Sequence, residues 1–179
     1  MDAAQVLLDA FGRIRDLVHG AVDGLTEEQL AARVDDTANT IAWLIWHLTR
    51  VQDDHIAAVA GTEQAWSAQG WADRFALPYD VGSTGYGHSA ADVAAVRTGS
   101  DQLTAYHDAV HDQTAAFLRT VSATDLDRDV DRRWNPPVTL GVRLLSVVSD
   151  DLQHLGQAAF VRGIVLRRQA TVPDPQSTP

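Results

Sequence analysis

Asp150 and His154 stand four residues apart in Ser149-Asp150-Asp151-Leu152-Gln153-His154-Leu155-Gly156-Gln157. On a helix this spacing puts a carboxylate and an imidazole on one face, one turn from each other, where both can ligate one ion. Gln157 follows on the same side, and Gly156 offers room for a neighbouring helix. His47 lies in Ala42-Trp43-Leu44-Ile45-Trp46-His47-Leu48, an apolar and aromatic run in which a buried imidazole needs a polar partner. Bundles build metal sites from side chains on facing helices. Two imidazoles and one carboxylate leave coordination positions open, which suits a reactive rather than a structural ion. The same i, i+4 spacing also serves an ordinary hydrogen bond, so spacing by itself leaves both readings open.

The remaining histidines are placed differently. His55 is eight residues beyond His47, about 80° around a helix, and is not expected to share its ion. His107 and His111 form another i, i+4 pair, but Asp108, Asp112 and Gln113 around them read as a solvated face. His19 complements a helix C-terminal dipole. His88, in Gly85-Tyr86-Gly87-His88, is positioned to reach a cleft. The tryptophans at 43, 46, 66, 71 and 134 read as core, with one or two walling a pocket.

Four long helices are needed to position these residues. Val6, Leu7, Ala10, Ile14, Leu17 and Val18 follow helical spacing from Asp2 to about His19, with Asp2 as N-cap. Thr26 and Gln29 form a capping box for a short helix. A second long helix is expected from Asn39 or Thr40 to Gly61, with Ile41, Leu44, Ile45, Leu48, Val51 and Ile56 on its apolar side and Trp43, Trp46, His47, Arg50 and Asp54 beside them. Residues 62–99 break into Gly, Pro, Ser and aromatics, and only Ser89 to Arg97 reads as helical. An ordered connection this long is expected to be functional and to let two helices run parallel. A third long helix runs from Ser100 to about Val121. The fourth runs from Thr139 to Leu166 through Val142, Leu145, Val148, Leu152, Leu155, Ala159 and Val161. With no alternating strand pattern, the fold class is all-α, a four-helix bundle spanning 1–168 with a flexible, proline-bearing tail at 169–179.

Composition narrows the chemistry. The 179 residues suffice for one core burying roughly 70% of the unfolded surface. With 24 acidic and 14 basic residues the net charge is −10, which disfavours nucleic acid and anionic membranes as partners. There is no cysteine, and every basic residue is arginine. Disulfides, thiolate zinc sites, cysteine nucleophiles and lysine chemistry are therefore excluded. No apolar run approaches a bilayer span, and the N-terminus lacks a basic start and a cleavage site, so a cytoplasmic protein is expected.

Thr40-Ile41-Ala42-Trp43-Leu44-Ile45-Trp46-His47-Leu48 with Asp53-Asp54-His55, followed about a hundred residues later by Asp150-Asp151-Leu152-Gln153-His154-Leu155-Gly156-Gln157, resembles the DinB-like superfamily. The likeness is greatest to the branch holding the mycothiol-dependent maleylpyruvate isomerase N-terminal domain and related thiol transferases, and it covers nearly the whole chain. It implies a four-helix bundle with a long connection between helices 2 and 3. It also implies a metal triad of one His on the second helix and two ligands four apart on the fourth, often two His or a Glu and a His. His47 and His154 take their places directly. Asp150 takes the third with a side chain one methylene shorter than Glu, and Asp151 is a fallback.

The resemblance further implies a divalent ion, zinc first and nickel or manganese as alternatives, that binds and activates a low-molecular-weight, mycothiol-like thiol for S-transfer to, or isomerisation of, an electrophilic small molecule. Such chemistry suits a chain without cysteine, because the nucleophile arrives with the cosubstrate. Arg50, one turn from His47, would pair with a carboxylate of the thiol or the substrate, or else form a surface ion pair with Asp53 or Asp54. A homodimer is expected from the same likeness. The competing readings are a metal-binding bundle without turnover in stress or sensing, metal-dependent hydrolysis by an ion-bound water, and a bundle that binds no ion.

Overall fold

The computed structural model describes residues 2–170. Its long helices are α1 (Ala3–Val22), α3 (Ile41–Ala60), α7 (Ser100–Leu118) and α8 (Leu140–Ala170), with short helices α2 (Glu27–Leu30), α4 (Ala65–Ala68), α5 (Trp71–Phe75) and α6 (Ala90–Ala95) between them. The predicted caps form: Asp2 with Gln5, Thr26 with Gln29 and Ser89 with Asp92 close reciprocal capping boxes. Thr40 accepts from the Trp43 amide, and Gly61 ends α3 with φ 71°, a left-handed conformation that costs glycine little. α8 runs through Ala170, two residues into the segment expected as a tail; the rest of that segment lies outside the described residues.

α1 and α3 each pack on both α7 and α8, forming a four-helix ring. Thr49 meets His107 and Gln52 meets Thr114, so α3 and α7 run parallel, as the long connection of residues 62–99 suggested. His47 lies beside His154 and His55 beside Arg143, so α3 and α8 run antiparallel. The connection is more ordered than its composition suggested. It contains α4 and α5, and the first turn of α4 is capped from another helix: the Asp53 carboxylate accepts the amides of Ala65 and Trp66 at 2.9 and 2.8 Å. A second unpredicted element is a hairpin of β1 (Asp129–Asp131) and β2 (Val138–Thr139), paired antiparallel just before α8.

Burial departs from the predicted stripes in three places. α3 has no polar side at all over 41–53, where every residue is buried, because α7, α8 and the connection enclose it. Val6, Leu17, Val142, Leu145 and Leu152 are exposed, whereas Leu144, Val147, Asp151, Leu155 and Ala158 face the core. Trp134 is 66% exposed, unlike the other four tryptophans.

The expected solvated face at His107 is also absent, since this residue is fully buried. The Thr49 hydroxyl donates to the Ile45 carbonyl, so His107 Nδ1 donates to the Thr49 oxygen, 3.1 Å away. Burial lowers the His107 pKa to about 3, with His111 adding to the effect. The unfolded chain therefore binds a proton near pH 6.5 that the fold refuses, and stability falls as pH drops below that value. Relative to His107→Gln, the wild type should lose about 2 kcal/mol of unfolding free energy between pH 6.5 and 5, read from urea titrations. Parallel pH slopes would contradict this.

Candidate metal centre

The antiparallel pair α3 and α8 brings His47, Asp150 and His154 together. One ligand atom from each lies within 4.8 Å of the others, the one such group among the described residues. His154 Nε2 is 3.7 Å from Asp150 Oδ1, and the two imidazoles meet edge to face with centroids 4.8 Å apart.

Both rings are oriented through their far nitrogens. His47 Nδ1 donates to the Thr84 carbonyl at 2.5 Å, and His154 Nδ1 donates to Gln157 Oε1 at 3.1 Å. Each Nε2 is thereby left as a lone pair, the tautomer a metal ligand needs. Burial lowers the His47 pKa, the Thr84 bond opposes it and His154 adds to the fall; the neutral imidazole is the ligating form. Asp150 Oδ2 is buried and bonded to no protein group. Three acceptors thus converge with no donor between them, and a nitrogen–nitrogen–oxygen set of this kind fits a divalent cation.

The loop that carries Thr84 is laced to the helices. Arg50 Nε donates to the Ser83 carbonyl at 3.1 Å, and Trp66 Nε1 to that of Val81 at 2.9 Å. Trp43 stacks on His47 at 4.6 Å, and the Tyr86 ring stands edge-on to it at 5.3 Å. Gly85 permits this approach. Its φ is 106°, and a Cβ there would lie 2.6 Å from His47 Nδ1 and 3.1 Å from Trp43. Gly85→Ala should displace the Thr84 carbonyl and weaken zinc binding about 10- to 100-fold, the usual worth of a partner that orients a ligand. A competitive titration against a chromogenic chelator measures this, and unchanged affinity would contradict it.

Arg50 requires correction. It is fully buried, not available to a substrate carboxylate, and its Nη1 donates to Gln64 Oε1 at 2.8 Å and lies 3.6 Å from Asp53 Oδ2. The ion pair with Asp53 exists, but in the core, where it holds the loop behind the site. Asp151 lies outside the cluster, fully buried, and burial reinforced by Asp150 pushes its carboxyl well above the usual carboxylate range. Gly156 faces open space, and no helix of this chain approaches it closely. His88 Nδ1 accepts from Trp43 Nε1 at 3.1 Å, so its Nε2 donates to Ser83 Oγ at 2.9 Å. It therefore acts as a structural strut and not as a base for that hydroxyl. Thr84, Gly85 and Tyr86 are the site residues that spacing did not reveal; the glycine-flanked run was their only signal.

The mycothiol-S-transferase family model matches residues 6–166. A conserved protein from Enterococcus faecalis, known from a crystal structure, is 26% identical, with 93% of this chain and 99% of that chain covered and a TM-score of 0.86. No curated protein matches. The all-α bundle, the long connection before the third long helix and this match over most of the sequence agree, and the chain belongs to the mycothiol-S-transferase family.

Proposed function

We propose that the protein transfers a low-molecular-weight thiol, mycothiol by family, to an electrophilic small molecule at a divalent metal centre held by His47, Asp150 and His154. The convergence of three acceptor atoms, two of them on imidazoles whose other nitrogens are already engaged, carries this reading. A divalent cation held there, zinc first, would supply Lewis acidity that lowers the pKa of a bound thiol. The chain contributes no sulfur nucleophile of its own, since it has no cysteine.

Its residues serve binding and orientation. Thr84 and Gln157 fix the tautomers, Trp43 stacks on the His47 ring, and Tyr86 borders it edge-on. In transfer to a haloarene, the thiol sulfur forms a bond to the ring carbon, chloride leaves with its bonding pair, and the thiol proton passes to solvent. Metal-loaded protein should consume 1-chloro-2,4-dinitrobenzene faster in proportion to added mycothiol, and EDTA should abolish the increment. A thiol-independent rate that needs metal would favour hydrolysis, and no rate in either arm would leave a binding bundle.

A further inference from the structure

The hairpin β1–β2 does more than lead into α8. With α3 and the start of α8 it encloses a cavity of about 550 Å³, within the range of small-ligand sites. Its charged lining comprises Arg128, Arg132, Arg133 and Arg143 facing Asp54, Asp129 and Asp131. His55 completes it as a neutral ring: its Nδ1 lies 3.2 Å from an Arg143 nitrogen, and burial, then Arg143, lowers its pKa. Four guanidiniums thus meet three carboxylates, a local excess of positive charge in a chain of net charge −10.

Asp131 accepts from Arg133 at 2.8 Å and from Arg143 at 3.1 Å, holding both forks at the cavity. Arg132 Nε lies 3.4 Å from Asp129 Oδ2, yet the Arg132 and Arg133 side chains stay 81% and 86% exposed, and each guanidinium carries five donors in a planar fork suited to carboxylates, more than these pairs use. Arg143 precedes Asp150 by seven residues, nearly two full turns, so it occupies the same face of α8, its backbone about 10 Å along the helix from that of Asp150. Tyr86, edge-on to His47, lies within the fields of Asp150, Asp54 and Arg143.

We infer that this arginine cleft binds the carboxylate of a small organic acid whose far end reaches the His47–Asp150–His154 centre. A sulfur, an aromatic ring and a carboxylate in line span about 7 Å between end atoms, and a hydrogen bond of about 2.9 Å to a guanidinium brings the reach to about 10 Å. That the acid is the electrophile rests on the thiol-transfer reading; that the cleft binds it does not.

The test compares 4-chloro-3-nitrobenzoate with its methyl ester, binding being measured by calorimetry on metal-loaded protein without thiol. The acid should bind at least about tenfold tighter than the ester, a preference that shrinks with added salt. Arg132→Gln/Arg133→Gln, two exposed changes that spare the core, should reduce the acid-to-ester ratio about fivefold or more, and Asp131→Asn, which releases two arginines, should raise it. Equal binding of acid and ester, or a ratio untouched by the double variant, would overturn the inference. Acid preference without transfer of mycothiol to either compound would instead contradict the transferase reading and leave the cleft standing.

Discussion

His154→Ala, purified without a histidine tag, should lose at least about a hundredfold in zinc affinity, because even the partners that merely orient metal ligands are worth 10- to 100-fold. Mycothiol-dependent turnover should fall about 10³-fold, since the Lewis acid contributes several kcal/mol to the chemical step and each 1.4 kcal/mol is a factor of ten. The fold should survive, because His154 sits at the rim of α8, bonded only to Gln157 and facing Asp150 and His47. Metal analysis, initial rates and a thermal melt on the same preparation separate these effects. Full zinc content in the variant would show that the ion, if any, binds elsewhere. Loss of the fold together with the metal would mean that the triad is structural.

Asp53→Ala should cost about 3–5 kcal/mol, the penalty for removing one partner of a buried ion pair. Four groups depend on this carboxylate: the amides of Ala65 and Trp66, the Tyr106 hydroxyl at 2.9 Å and the Arg50 guanidinium. Burial raises the Asp53 pKa, and the two amides, then Tyr106, then Arg50 draw it back. Deleting it strands a guanidinium that is itself fully buried and uncaps α4. For a chain of this size the melting temperature should drop about 10 °C or more. Limited proteolysis should then open first within residues 62–99, which Asp53 and Arg50 tie to α3. A loss below about 1 kcal/mol would show that the network is not the anchor of the connection.

Much of the architecture was legible because its signals are local. The capping boxes at Asp2, Thr26 and Ser89, the Gly61 stop and the 3.6-residue periodicity all act within a few residues of chain. α4 was illegible for the opposite reason: the side chain of Gln64, its N-cap, makes no capping bond, and the cap comes from Asp53 on another helix. In α8 the periodicity misled, since Leu145 and Leu152 are exposed while Asp151 is in the core. A hydrophobic stripe says which faces are apolar, but only packing decides which face is covered. His107 misled similarly: Asp108, one residue on and about 100° around α7, faces Arg15 and His19, whereas the His107 ring turns inward to Thr49.

The site was legible as a triad through spacing on α8 and resemblance on α3. The Thr84 carbonyl that sets the His47 tautomer was not, because backbone acceptors leave no trace in residue type. Arg50 illustrates the limit: its position one turn from His47 suggested a substrate contact, and its burial makes it a brace for the loop behind His47.

The sulfur content of the chain permits an unusually direct experiment. With no cysteine and a single methionine, Met1, sulfur near a bound ion must come from the cosubstrate. X-ray absorption at the zinc edge of the loaded protein should give a shell of only nitrogen and oxygen at about 2.0–2.2 Å, with imidazole scattering from two histidines. On addition of mycothiol, one sulfur neighbour should enter at about 2.3 Å. A shell lacking imidazole, or one that mycothiol leaves unchanged, would contradict thiol activation at His47, Asp150 and His154.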